Sequence, residues 1–210
     1  MSFDQINFAL SMMATVAFAV TGVLAVAQRR VDFFSAVVLG VITAIGGGTI
    51  RDLILDVPVF WAADLSYVRF AVLASVITFV AQSLFSKPQI FKLFLYIDAM
   101  GVALFGVGGA LKTLELDFGW PLGPLMLGII TAIGGGLLRD VLAGRKTLLM
   151  SDEVYTVPIF IGCFILLLTI HFFPTLQSQA LLAGTLVAFL LRAAAIHWSW
   201  RLPGWFTTKP

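Results

Sequence analysis

The chain has 210 residues, of which 60% are hydrophobic and 11% are charged, and its mean hydropathy is +1.03. Soluble domains carry about 25% charged residues, so this composition excludes a water-soluble globule and predicts a multi-pass membrane protein. The formal net charge of +2 gives no reason to expect a nucleic-acid partner. The single cysteine, Cys163, lies in an apolar run, which predicts a small core residue and excludes an intrachain disulfide.

A membrane-spanning helix needs about 20 mostly apolar residues. Seven segments meet this requirement, at roughly 5–27, 33–55, 66–85, 91–112, 121–143, 154–173 and 178–198. The first is long enough to span and has no basic residue before it, so we interpret it as a retained helix and not as a signal peptide. Because all links are short, residues 1–210 are predicted to form a single all-α transmembrane domain.

The distribution of Lys and Arg predicts the orientation, because basic residues concentrate in cytoplasmic links. Two basic residues, near the ends of their segments, mark one side, Arg69 and Lys112. Eight follow the first, third, fifth and seventh segments: Arg29, Arg30, Lys87, Lys92, Arg145, Lys146, Arg201 and Lys209. The N-terminus is therefore expected outside and the C-terminus in the cytoplasm. Tryptophans near the segment ends are predicted to be interfacial anchors, Trp61 and Trp120 outside and Trp198, Trp200 and Trp205 inside.

An internal repeat organises the chain. Residues 39–53 recur at 127–141 with a constant offset of 88, and eleven of the fifteen pairs are identical. Residues 18–22 resemble 105–109 at an offset of 87. The pattern predicts that helices one to three (about 5–85) are duplicated as helices four to six (about 91–173), with a seventh helix (about 178–198) added. Since three is odd, the second copy is inverted in the membrane, an arrangement that many transport proteins use.

Each copy of the motif contains three consecutive glycines, which make a helix easy to bend or unwind. Carbonyls freed in this way are candidate ligands for transient contact with K⁺ or Na⁺. Thr43 and Thr131, one turn earlier, could add hydroxyl oxygens or satisfy the loosened backbone. The alternative is that the glycines only permit close helix packing. The glycines concerned are Gly46, Gly47, Gly48, Gly134, Gly135 and Gly136.

Each copy also contains an Arg-Asp pair, and charges at membrane depth usually pair, face the bundle interior or line a pathway. These pairs are pore or gate candidates: Arg51, Asp52, Arg139 and Asp140. Adjacent helical residues point about 100° apart, so each Arg is expected to be a poor partner for its neighbouring Asp. Pairing across the repeat, or with Asp98, is predicted instead.

Three further polar residues have two interpretations each. Asp98 begins the fourth segment, so it is either a partner for the arginines or an N-terminal helix cap. Ser11 and Thr15 lie on the apolar first segment. They are candidates for a pore lining, but such hydroxyls more often bond to their own helix backbone.

The residues leave two functions open, a passive channel for monovalent cations and a secondary transporter for a small zwitterion such as glycine. A purely structural role gives no reason to duplicate the charged pairs. We find no nucleophile and base at a suggestive spacing, and no cofactor or nucleotide motif, so an enzyme is not expected. His171 and His197 are isolated and predict no metal site.

Two Gly-Gly-Gly-x-x-Arg-Asp motifs, the segment Asp98-Ala-Met-Gly101 and seven predicted helices resemble the prokaryotic trimeric intracellular cation (TRIC) channel family. The resemblance covers roughly residues 5–198. It implies a homotrimer in the lipid bilayer of a bacterial or archaeal cell, with one K⁺ pore per subunit that also passes Na⁺. It further implies that helices two and five bend at their glycines and that the Arg-Asp pairs belong to the pore or gate. Similar sequences carry the label putative glycine transporter, which keeps the alternative open.

Overall fold

The computed structural model describes residues 3–27, 29–84, 87–151 and 154–201. Trp205 and Lys209 lie outside this range. A short helix, Phe60–Ala63, precedes the third long helix, and short 3-10 turns lie in three of the links. The long helices are α1 (Phe3–Val26), α2 (Phe33–Ile54), α3 (Ser66–Ala81), α4 (Lys87–Glu115), α5 (Leu122–Leu142), α6 (Thr156–Phe172) and α7 (Gln177–His197).

The prediction of an all-α membrane protein is confirmed. Within the described residues, six helices are long and apolar enough to cross a membrane, and α6 is an apolar helix of 17 residues. The predicted fourth segment, 91–112, was too short, because α4 extends from Lys87 to Glu115. Lys92 and Lys112 therefore lie within a helix and not in links, as amphipathic lysines near helix ends can. Cys163 is buried in the core, as predicted.

α1 and α4 pack against each other in antiparallel directions at the centre of the bundle. Asn7 and Ser11, early in α1, share a cavity with Lys112, late in α4. Thr21, late in α1, contacts the same Arg139 guanidinium as Asp98, early in α4.

The two Arg-Asp motifs lie at opposite ends of this helix pair. Arg51 lines the cavity beside Ser11, whereas Arg139 bonds to Thr21. Ten residues of α1 separate Ser11 from Thr21, which corresponds to about 15 Å along a helix. The C-terminal ends of α2 and α5 therefore point in opposite directions, as an inverted repeat requires.

α2 and α5 cross at their triple glycines. A Cβ atom at Gly47 would lie 2.1 Å from the backbone oxygen of Thr131, and one at Gly135 would lie 2.3 Å from that of Thr43. The two contacts are equivalent, because the repeat relates Gly47 to Gly135 and Thr43 to Thr131. The crossing therefore admits only glycine, which is the packing role typical of small residues in membrane helices.

Both helices remain α-helical through the glycines. The expectation of local unwinding is therefore wrong, because both helices stay α-helical while glycine provides the close approach. The expected bend at the glycines stays a prediction. That the glycine carbonyls contact a passing cation stays a prediction.

Candidate permeation pathway

Two cavities open at opposite ends of the α1–α4 pair. The first, the Arg51 cavity, has a volume of about 230 Å³, and the second, the Arg145 cavity, of about 200 Å³. None of the six motif glycines lines either cavity. The Arg51 cavity is lined by Asn7, Ser11, Arg51, Phe60, Tyr67, Phe105, Gly108, Lys112 and Glu115. The Arg145 cavity is lined by Leu24, Ala25, Arg29, Ile90, Phe91, Phe94 and Arg145.

One face of α4 runs from one cavity to the other. Residues three or four apart share a helix face, and this spacing leads from Lys112 through Gly108 and Phe105 to Asp98 and Phe94. The first three line the Arg51 cavity and the last lines the Arg145 cavity. We call this face, with the facing side of α1, the candidate pathway.

The centre of the candidate pathway is closed in this structure. The rings of Phe18 on α1 and Phe105 on α4 stack with centroids 5.5 Å apart, and both side chains are buried. The two phenylalanines occupy equivalent positions in the repeats, at an offset of 87. The stack therefore lies between the two halves of the duplicated structure.

At one end, Asp52 is the centre of a charged cluster. Arg51 donates to Asp52 Oδ1 from Nε (2.8 Å), and its terminal nitrogen lies 2.7 Å from the same oxygen. The Lys112 ammonium donates to Oδ1 at 2.8 Å, and the Phe60 N–H donates to Oδ2 at 2.8 Å. The expectation that Arg51 and Asp52 are poor partners is wrong. The expectation considered only the directions of the two Cβ atoms. The long Arg side chain can reach around the last turn of the helix to the carboxylate.

At the other end, Arg139 is fully buried and lies between two carboxylates. It donates from Nε to Asp140 Oδ1 (2.9 Å) and from a terminal nitrogen to Asp98 Oδ1 (2.6 Å). The same nitrogen donates to Thr21 Oγ1 at 3.0 Å. The Tyr155 hydroxyl donates to Asp98 Oδ2 at 3.1 Å. We call this group the Arg139 cluster.

The Arg139 cluster confirms one prediction and corrects two. The expected pairing of Arg139 with Asp98 is observed. The expectation that Arg139 and Asp140 are poor partners is wrong for the same reason as for Arg51 and Asp52. Asp98 is not an N-terminal cap, because α4 begins eleven residues earlier at Lys87.

The two ends repeat the same scaffold with different side chains. Leu148 N–H donates to Asp140 Oδ2 at 3.2 Å, which repeats the contact of Phe60 with Asp52 88 residues earlier. Tyr155 likewise corresponds to Tyr67. However, Ser11 stands at the position equivalent to Asp98.

The clusters therefore differ in charge. With ionised side chains, Arg139 with Asp98 and Asp140 has a net charge of −1, whereas Arg51 and Lys112 with Asp52 have a net charge of +1.

The candidate hydroxyl residues divide into two groups. Ser11 lines the Arg51 cavity. The other three hydroxyls donate to the carbonyl four residues earlier in their own helix, which is the alternative interpretation given above. These are Thr15 to Ser11 (2.9 Å), Thr43 to Leu39 (2.6 Å) and Thr131 to Leu127 (2.5 Å).

Arginines that follow α1 and α5 line the Arg145 cavity. Arg29 donates to the carbonyl of Ala143, and Arg145 donates to that of Ala25 at 3.4 Å, so each arginine joins its link to the other repeat. Burial lowers the pKa of the Arg145 guanidinium below its usual value, and the negative charge of Asp140 opposes this shift. Within the described residues, no group of three or more His, Cys, Asp or Glu side chains is placed to hold a metal ion.

Sequence reasoning did not identify Lys112, Thr21, Tyr67, Tyr155 and Phe94 as site residues. The two tyrosines carried a signal, because they lie 88 residues apart, as the motifs do. Lys112 and Thr21 acquire their roles only from the packing of α1 and α4, which no local pattern shows.

Comparison with known proteins gives consistent matches along nearly the whole chain. A family model described as Glycine transporter matches residues 8–83 and 95–171. The UPF0126 inner membrane protein YadS of Escherichia coli (strain K12) is 37% identical over 197 residues, 92% of this chain and 93% of that protein. A UPF0126 membrane protein of Vibrio cholerae is 36% identical and covers 96% of this chain and 84% of its own length.

Solved structures share the fold. The TRIC trimeric intracellular cation channel orthologue of Rhodobacter sphaeroides is 34% identical, with a TM-score of 0.87 over 93% of this chain and 99% of that one. A prokaryotic TRIC channel crystallised in 0.5 M KCl is 28% identical, also with a TM-score of 0.87, over 94% of this chain and 99% of that one.

Proposed function

This chain belongs to the membrane-protein family that contains the prokaryotic TRIC channels and the UPF0126 proteins, and on that basis we propose that it is a passive monovalent cation channel. The observation that carries the proposal is the face of α4 that runs from one cavity to the other past Asp98, and that is closed in this structure by the Phe18–Phe105 stack. On this face Asp98 supplies carboxylate oxygens, and the hydroxyls of Ser11, Thr21 and Tyr155 lie beside it. Hard monovalent ions such as K⁺ and Na⁺ take oxygen ligands.

The net charge of the Arg139 cluster favours cations over anions at this point of the candidate pathway, whereas the cluster around Asp52 and the lining of the Arg145 cavity are positively charged. The net charge of −1 on the Arg139 cluster lies in a buried region, where electrostatic interactions are screened less than in water. Two carboxylates neutralise the charge of Arg139, so its guanidinium narrows the passage without a strong repulsion of the cation. We assign Arg51, Asp52, Arg139 and Asp140 to gating and constriction.

Planar-bilayer recording of the purified protein tests the proposal. We expect an ohmic current with a reversal potential near that of K⁺ in a KCl gradient, and a similar current with Na⁺. Silence in repeated, well-folded preparations would contradict a channel. The alternative, glycine transport, predicts instead saturable glycine uptake into proteoliposomes that depends on an ion gradient. The solved structural relatives of this chain are named as TRIC channels, which favours conductance over glycine transport.

We further propose a homotrimer with one pathway in each subunit, located in the inner membrane. The Rhodobacter sphaeroides relative is named as trimeric, and the Escherichia coli relative as an inner membrane protein. The excess of basic residues in alternate links supports an orientation with the N-terminus outside and the C-terminus in the cytoplasm. The Arg51 cavity then opens outward and the Arg145 cavity opens to the cytoplasm.

Cysteine labelling tests this orientation. In a Cys163→Ala background, Pro58→Cys is expected to react with a membrane-impermeant maleimide from outside the cell. Arg30→Cys and Lys146→Cys are expected to react only after the membrane is permeabilised, because both follow helices that end on the basic side. All three parent residues are exposed. Labelling of Pro58→Cys and Lys146→Cys from the same face would contradict the inverted arrangement.

A further inference from the structure

We propose that the Phe94 ring is the gate at the Arg145 end of the candidate pathway, an inference that rests on the proposed channel function. Phe94 lies on α4 one turn before Asp98, and it lines the Arg145 cavity although only 1% of the residue is exposed. The ring therefore forms the inner wall of the cavity, directly next to the Arg139 cluster.

Two arginines hold the Phe94 ring in this place. The guanidinium carbon of Arg139 lies 4.4 Å from the ring centroid, and that of Arg145 lies 4.5 Å from it. Such distances are typical of cation–π contacts. Arg139 itself is fully buried. The ring thus separates the Arg145 cavity from Arg139 and Asp98, and an apolar constriction of this kind blocks water and ions.

The other half of the duplicated structure has no such ring at the equivalent position. The offset of 87 that relates Phe18 to Phe105 relates Asn7 to Phe94, and Asn7 lines the Arg51 cavity. The same offset relates Gly108 to Thr21, and a Cβ atom at Gly108 would meet nothing within 4 Å. The Arg51 end of the candidate pathway is therefore open as far as Arg51. The Arg145 end is closed by the Phe94 ring in front of Arg139.

Movement of the Phe94 ring out of this position would connect the Arg145 cavity to Asp98 and Thr21. Both arginines would then lose their contact with the ring, so both contacts stabilise the closed position. The difference between the repeats thereby locates the Phe94 gate at the Arg145 end, while the Arg51 cavity is open as far as the Phe18–Phe105 stack.

Single-channel recording of Phe94→Asn, which copies the side chain of Asn7, tests the gate. We expect the open probability to rise about tenfold at a fixed voltage, the change produced by a modest shift of a two-state equilibrium. The preference for K⁺ over Cl⁻ should remain. Phe70→Asn is the matched control, since Phe70 is 46% exposed and lines neither cavity. It should behave as the wild type. If Phe94→Asn does not fold, Phe94→Ala also removes the ring and should show the same increase.

The outcomes separate the gate from the channel. A conducting wild type with an unchanged or lower open probability in Phe94→Asn would overturn the gate and leave the channel intact. An equal increase in Phe70→Asn would also overturn it, because the replacement of any phenylalanine by asparagine would then suffice. If the wild type and every variant are silent although folded, the proposed channel function fails, and the gate fails with it.

Discussion

Replacement of Gly47 by Ala is expected to lower the midpoint of thermal unfolding by about 10 °C, as a loss of about 3 kcal/mol would in a protein of this size. The added methyl group would lie 2.1 Å from the backbone oxygen of Thr131. A backbone atom cannot turn away as the end of a side chain can, so α2 and α5 must separate. Gly135→Ala, with its 2.3 Å contact to the oxygen of Thr43, should have a similar effect.

Gly108→Ala is the matched control, because Gly108 is also a helical glycine and its added Cβ would meet nothing within 4 Å. Alanine is favoured over glycine in helices by about 1 kcal/mol, so this variant should be as stable as the wild type or slightly more stable. Fluorescence-monitored unfolding in detergent measures all three variants. Equal midpoints for Gly47→Ala and Gly108→Ala would show that the α2–α5 crossing is not tightly packed. If Gly47→Ala still assembles, we expect it to lose conductance.

The repeat explains why much of the fold could be predicted from the sequence. A hydropathy count located the helices, and the offset of 88 predicted that Arg51 and Arg139 lie at opposite ends. The predicted segment 91–112 ended short of both ends of α4, because Lys92 and Lys112 near its ends were counted with the basic residues of the links. A lysine can remain in a membrane helix when its ammonium has a partner, and Asp52 provides one for Lys112.

The candidate site was harder to predict, because its contacts depend on side-chain reach and on helix packing. The angle between neighbouring helical residues argued against pairing of Arg139 with Asp140, yet the flexible Arg side chain makes the contact. Thr21 and Asp98 meet Arg139 only because α1 and α4 are antiparallel and in register. The repeat alone also indicates where the two halves differ in charge, because its offset relates the uncharged Ser11 to the carboxylate of Asp98.

Replacement of Asp98 by Asn is expected to destabilise the protein by about 3 kcal/mol, because the buried Arg139 guanidinium loses a charged hydrogen-bond acceptor, although Asp140 still balances its charge. Asn keeps the shape of Asp but removes the charge that faces Arg139 at 2.6 Å. The amide can no longer accept from both Arg139 and Tyr155 through two oxygens. Asp117→Asn, at an exposed position, is the control and should leave the unfolding midpoint unchanged.

A double-mutant cycle with Arg139→Met decides whether the loss comes from the Arg139–Asp98 pair. Arg139→Met alone leaves Asp98 and Asp140 buried without their cation, so it should also destabilise strongly. The double variant should lose less stability than the sum of the single variants, by about 1–3 kcal/mol, because neither charge then remains without the other. Additive losses would mean that Asp98 acts through Tyr155 and not through Arg139. Since the closed Phe94 ring rests on Arg139, a strong coupling would also tie the position of the gate to the charge of Asp98.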